Sequence, residues 1–306
     1  MLVATQVIRI GAWDRSGSTI LAAVLGSASG VVSVGEVNNL WDRGVRRNRL
    51  CSCGVPFNDC PFWSNVTDIA FPGVDGRRLL DEIVRIAADL NNVDLLARRL
   101  FGRHATEFAT YAAGLRRLFA AIADVAGVSV IVDSAKMPWH LQAVREAMGD
   151  ATRFVQLVRD PRGVVHSHQK VVSYDPDPDE PELMARHGAF FTTAGWAYRN
   201  VVMTLLWRRE PGYLLVPYES FAMDPAEVAR VILEPSGIEP PTFDAPGIIR
   251  LEPDHNASGN PIRFSRGPAV IRPDLSWNDA LSTPTRVLVG AATWPLRKIY
   301  SVPAGT

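Results

Sequence analysis

The sequence predicts an α/β fold: a P-loop-like parallel sheet flanked by helices, with a helical insertion. Three observations predict it. Short apolar, β-prone runs alternate with helical stretches along most of the chain. The runs ending at Ile10, Val132 and Val158 each give way to a polar loop and then to a helix. Right-handed crossovers put those three loops at one end of a parallel sheet, where such folds bind ligands.

The elements follow in order. Val7 to Ile10 reads as a buried strand stopped by Gly11, and Thr19 to Leu25 as the helix after the next loop. Val31 to Val34 is a second short strand, placing Gly35 and Glu36 at its end, beside the first loop. Residues from about 42 to 126 read as an insertion, a cysteine loop followed by helices, with Leu79, Ile83, Ile86 and Leu90 at helical spacing. Phe108, Tyr111, Leu115, Leu118, Phe119, Ile122 and Val125 continue that spacing until Gly127 ends the helix.

Val128 to Val132 is the next strand and runs into Asp133-Ser-Ala-Lys136. Pro138 to Met148 suits a helix with proline in its first turn. Arg153 to Val158 is a strand broken by Arg159-Asp-Pro-Arg162, with a helix expected from near Gly163. The acidic, proline-rich segment 173–181 is neither helix nor central strand. Tyr213 to Val216 is a further strand, and Asp224-Pro225 opens another helix. The reading is one domain over 1–306, with the 42–126 insertion as the expected acceptor region and the acidic loop sharing in acceptor specificity.

Composition narrows the function. A chain of 306 residues, 47% hydrophobic, can bury a sizeable core. Its 32 basic side chains equal its 32 acidic ones, so no global field draws nucleic acid or acidic membranes. Any anion site must be built locally. Met1 to Ile10 lacks the apolar region of a signal peptide, and no run is long enough to span a bilayer. A cytoplasmic location is expected. Oligomeric state is not legible in the sequence.

The three cysteines, Cys51, Cys53 and Cys60, are an odd cluster and not a disulfide framework. They could hold zinc with a fourth ligand such as a histidine. Reduced thiols in a Gly/Pro-rich turn are the simpler reading, and no metal is assigned on it.

Two loops carry chemistry. In Gly11-Ala-Trp-Asp-Arg-Ser-Gly-Ser-Thr19, backbone amides and a helix N-terminus make an anion cradle. It departs from the P-loop pattern because Ser18 stands where the lysine belongs and the first glycine is out of register. Arg15 supplies a cation two residues before Gly17 instead. In the second loop, Arg159 ends a strand and Ser167 lies about two turns into the next helix, so both suit one phosphate.

Together these segments resemble the two cofactor signatures of the sulfotransferase superfamily, in its group with an Arg-Ser-Gly-Ser-Thr loop. Val34-Gly-Glu-Val37, Asp133-Ser-Ala-Lys136, His255 to Arg263 and the Cys51–Trp63 stretch extend the likeness in the expected order. It is less like the phenol and steroid enzymes, whose loop carries lysine and whose base is histidine.

The resemblance implies sulfonyl transfer from 3′-phosphoadenosine-5′-phosphosulfate (PAPS) to a hydroxyl or amine of a small-molecule acceptor. The bisphosphate PAP is then the product. It implies that Arg15, Ser16, Gly17, Ser18 and Thr19 bind the 5′-phosphosulfate, with Ser134 on the cofactor side. Arg159 and Ser167 would bind the 3′-phosphate, while Gly259, Asn260 and Arg263 close over the nucleotide. Glu36 is the implied base, with Arg15 and Lys136 as the cations near the leaving oxygen and no metal required. His140, His166, His168 and His255 compete as bases, and Trp13, Trp139 or Trp277 could stack on adenine. A P-loop kinase or nucleotide hydrolase using Asp133 to hold magnesium is one alternative. A non-catalytic nucleotide-binding protein is the other.

Overall fold

The computed structural model describes residues 5–175, 182–252 and 254–301. Five parallel strands form the sheet: β1 (Gln6–Gly11), β2 (Val31–Gly35), β3 (Val130–Asp133), β4 (Thr152–Val158) and β5 (Tyr213–Pro217). Their spatial order is β2-β3-β1-β4-β5. The central β1 is covered on both faces, so it reads as a nearly continuous apolar run. Its one charge, Arg9, is fully buried and donates to the Leu141 carbonyl at 3.0 Å and to Glu210 at 2.6 Å.

The main helices are α1 (Ser18–Gly26), α2 (Pro61–Ala70), α3 (Gly73–Asp89), α4 (Asn92–Phe101), α5 (Ala105–Ala126), α6 (Pro138–Met148), α7 (Pro161–Gln169), α8 (Ala189–Trp207), α9 (Pro225–Leu233) and α10 (Thr283–Ile299). Alternate residues of β1 face opposite layers. Ile8 and Ile10 pack with Leu21 and Leu25 of α1 and Ile232 of α9. Val7 joins the larger core built by α2, α3, α5 and α6 around Trp63, Ile83, Phe108 and Leu115. The inserted helices therefore extend one face of the sheet.

Two expectations shift. The strand expected from Val128 starts at Val130, because Gly127 caps α5 in the left-handed conformation and the Val128 amide still bonds the Ala123 carbonyl. The helix expected from near Gly163 starts at Pro161, with Asp160 accepting from the Arg162 amide as its cap. Glu36 follows β2, which β3 separates from β1, and still shares the cavity of the first loop. In the acidic loop, Tyr174 and Asp175 are described, while 176–181 lie outside the described residues. A two-stranded antiparallel pair, β6 (Ile248–Leu251) and β7 (Gly267–Val270), frames the segment holding His255 to Arg263. No helix among the described residues is long and apolar enough to cross a membrane.

Candidate active site

The first loop leaves β1 at Gly11 and turns through Arg15 (φ 65°) and Gly17 (φ 92°) before α1 begins at Ser18. Gly17 is needed there twice over. Its φ disfavours any side chain, and a Cβ would meet the Tyr218 ring at 2.6 Å. Ser16, Ser18 and Thr19 are buried around the N-terminus of α1, which carries a partial positive charge. Within this cradle the Arg15 Nη2 and Ser16 Oγ are buried with no hydrogen-bond partner. Burial lowers the Arg15 pKa against the nearby anionic groups. Each unsatisfied buried donor costs about 1–3 kcal/mol, so the loop is arranged for a group that would accept from it.

Arg159, where β4 ends, is buried and supports that loop from below. Its Nη1 donates to the Arg15 carbonyl at 3.0 Å and its Nη2 to Asp274 at 3.0 Å. The guanidinium lies 4.6 Å from the Tyr218 ring centroid. Burial pushes the Asp274 carboxyl up, but hydrogen bonds from Ser276 and the Arg159 charge outweigh it and hold its pKa at about 2. Ser167 of α7 opens onto the same space.

On the other side, Gly35 ends β2 with φ 71°, where a side chain would collide with the Ser258 carbonyl. This turn delivers Glu36 to Lys136, which arrives from the loop after β3. The two form a buried ion pair. Asn39 donates to the other Glu36 oxygen at 2.8 Å. Asp14 stands 3.8 Å from the Lys136 ammonium and 3.6 Å from Arg199. Burial opposes the Lys136 charge, but Glu36 and Asp14 outweigh it, so its pKa is raised and it stays a cation.

These three constructions meet in one cavity of about 480 Å³, walled by Arg15, Thr19, Glu36, Lys136, Arg159 and Ser167 among others. Gly17, Ser18 and Asn260 also face it. Gly259 lies beside Thr19, with a Cβ position 3.8 Å from its hydroxyl. Ser134 is buried behind the wall, its hydroxyl unpartnered.

The family model of the sulfotransferases matches residues 8–242. The chain belongs to the sulfotransferase family. No curated protein sequence matches it. Among solved structures it is similar to the sulfotransferase domain from the curacin biosynthetic pathway, at 15% identity and a TM-score of 0.48 over 98% of this chain and 99% of that one. It is also similar to a sulfotransferase from Alicyclobacillus acidocaldarius, at 12% identity and a TM-score of 0.43 over 99% of this chain and 98% of that one.

Several expected positions differ from those in the structure. Arg263 is not in the cavity wall. Its guanidinium pairs with Asp175 and donates to the Leu50 and Asn256 carbonyls at 3.1 and 3.0 Å. No described residue of 42–126 lines the cavity, whereas Tyr174 of the acidic loop and Met184 and His187 after it do. Asp133 cannot serve a metal beside Thr19, because it accepts from His140 at 2.8 Å and from the Ala135 amide at 2.9 Å deep in the core. His140 is held by that contact and by Tyr111, which removes it as a base. Trp13, Trp139 and Trp277 are buried in packing and do not reach the cavity.

The cysteines also lie elsewhere, gathered with His255. Sequence reasoning missed Asn39, Asp14 and Asp274. Asp14 lies inside the first motif without a role assigned to it and Asn39 two residues beyond Val37, while Asp274 carries no local signal.

Proposed function

We propose that the chain transfers the sulfonyl group of PAPS to a hydroxyl or amine of a small-molecule acceptor, with Glu36 as the base. The observation that supports this most directly is the buried Glu36–Lys136 pair opening onto the same cavity as the unpartnered donors of the first loop. The orphaned Arg15 and Ser16 donors fit an anionic oxygen cluster, which agrees with a bound phosphosulfate.

When bound, the donor supplies the sulfonyl group and a leaving phosphate. Arg15, Ser16, Gly17, Ser18 and Thr19 would hold its 5′ end, and Arg159 with Ser167 its 3′-phosphate. Glu36, paired with a neighbouring cation, is set to accept the acceptor's proton. Protonation of Glu36 weakens its hold on Lys136, freeing an ammonium for negative charge that develops across the cavity. Asp14 keeps that ammonium charged throughout. Asn39 fixes the carboxylate plane by bonding the oxygen that Lys136 leaves free.

Calorimetric titration with PAP, run beside ATP plus magnesium, tests the donor site. Binding of the bisphosphate in preference to ATP is expected, with affinity lost by about 10- to 100-fold in Arg159→Ala, the size of a charge-assisted contact. Preference for ATP, or equal affinity in the variant, overturns the assignment.

A further inference from the structure

The cysteine loop is built more carefully than a turn requires. Leu50 and Pro56 form an antiparallel bridge, and inside it the Cys51 amide bonds the Val55 carbonyl at 2.8 Å. The Gly54 amide closes back on the Cys51 carbonyl at 2.9 Å. This hairpin aims Cys51 and Cys53 toward Cys60, which stands just before α2 begins at Pro61. The fourth member comes from 195 residues further on: His255, with Nδ1 3.3 Å from the Cys60 sulfur and 3.8 Å from the Cys51 sulfur. The Cys53 and Cys60 sulfurs are 3.7 Å apart, far outside disulfide bonding. All four candidate ligand atoms lie within 4.8 Å of one another.

Those separations fit a tetrahedral metal centre. With zinc–sulfur bonds of about 2.3 Å and zinc–nitrogen bonds of about 2.0 Å, ligand atoms at tetrahedral angles stand about 3.5–3.8 Å apart. The donor set, three thiols and one imidazole, selects zinc over the hard cations. The imidazole is also oriented for the task. The Phe62 ring stacks on it at 4.5 Å with an interplanar angle of 7°, and Trp63 holds the His255 carbonyl at 2.7 Å. Cys51 and Cys60 are fully buried and Cys53 and His255 partly so, and four protein ligands fill a tetrahedral shell, as in structural zinc sites.

We propose that Cys51, Cys53, Cys60 and His255 bind one structural zinc ion. Binding releases the thiol protons to solvent. The ion joins the hairpin to the segment between β6 and β7, reinforcing bonds already present there. The Asn256 amide donates to the Ser52 hydroxyl at 2.8 Å, and the Ser52 amide to the Asn256 carbonyl at 3.1 Å. The same segment places the Ser258 carbonyl on the Glu36 amide at 3.3 Å, Gly259 beside Thr19, and Asn260 in the cavity wall. Zinc at this junction thus fixes the segment that reaches over the first loop, without touching the reacting groups.

The test is metal content, which does not depend on the sulfotransferase reading. The full chain, purified from zinc-supplemented cells and dialysed against a mild chelator, is expected to carry about one zinc per molecule. Its three thiols should react with a disulfide reagent only after denaturation. His255→Ala should lose the metal, while His255→Cys, which keeps four ligands, should retain it. Should both variants fail to fold, cobalt exchanged into the wild-type protein should give the visible d–d and sulfur charge-transfer bands of a tetrahedral site. A wild-type protein without stoichiometric metal, with all three thiols reacting at once, overturns the proposal. So does cobalt that binds with only octahedral bands.

Discussion

Arg15 and Arg263 have the same chemistry and, by resemblance, the same assignment, yet the fold treats them in opposite ways. Arg15 is held with φ 65° on a loop whose buried donors lack partners. Arg263 is fully buried in a network in which Asp175 also takes Arg43 at 3.0 Å, and Arg43 takes Glu182 at 2.8 Å. Its guanidinium additionally stacks 4.2 Å from the Phe264 ring centroid. A cation matched by carboxylates and carbonyls is structural, because an incoming anion would have to displace them. Arg263 also keeps an unpartnered Nε, but both of its Nη nitrogens are taken, whereas the Arg15 Nη2 is unpartnered and the residue lines the cavity. An unmatched guanidinium terminus on a cavity-lining arginine, more than the positive charge alone, marks the anion site.

The sharpest test of the cavity side is Glu36→Gln. Lys136 keeps Asp14 as a counter-charge at 3.8 Å, so the fold should survive. Loss of the base should lower turnover by about 10²- to 10⁴-fold. PAP affinity, measured by calorimetry, should be nearly unchanged. Full activity would return Glu36 to a permanent ion pair and move the base elsewhere.

The paired variants Arg15→Ala and Arg263→Ala break the comparison most directly. Arg15→Ala should weaken PAP by about 10- to 100-fold. It should melt no lower than the wild type, since it deletes an unpaired buried donor. Arg263→Ala should destabilise the protein by about 2–4 kcal/mol by orphaning two carbonyls and half of a buried ion pair. Its PAP affinity, read well below its melting temperature, should stay at the wild-type value. Exchange of the two phenotypes would reverse the assignment.

How much of this was legible follows from where the partners lie in the chain. Alternating runs specify strands and helices locally, so all five strands and the loop–helix junctions at Ser18 and Pro138 were readable. Sheet order was not, because nothing in Val31 to Gly35 records that β3 stands between it and β1. Arg15 and Arg263 look alike in sequence because the residue that separates them, Asp175, lies 88 positions before Arg263. The cysteine spacing was visible, whereas its histidine sits 195 residues away. Local chemistry was therefore readable and long-range pairing was not. The errors fall on the residues whose role depends on a distant partner.

Asp274 stands between the two cases and gives the smallest expected effect. It pairs with Arg159 at the cavity wall, where a bound phosphate would compete with it. Its folded pKa of about 2 lies below the ordinary 3.8, so its pairing contributes stability above pH 4 and loses it as the pH falls toward 2. Asp274→Asn should therefore match the wild type in acid and fall behind it near neutrality. The carboxylate is partly exposed, which limits the pair to the strength of a surface ion pair. Removing it should tighten PAP binding at neutral pH by about two- to fivefold. Weaker binding would mean that Asp274 aims Arg159 rather than competing for it, and Arg159 would then belong with Arg263 among the arginines defined by their protein partners.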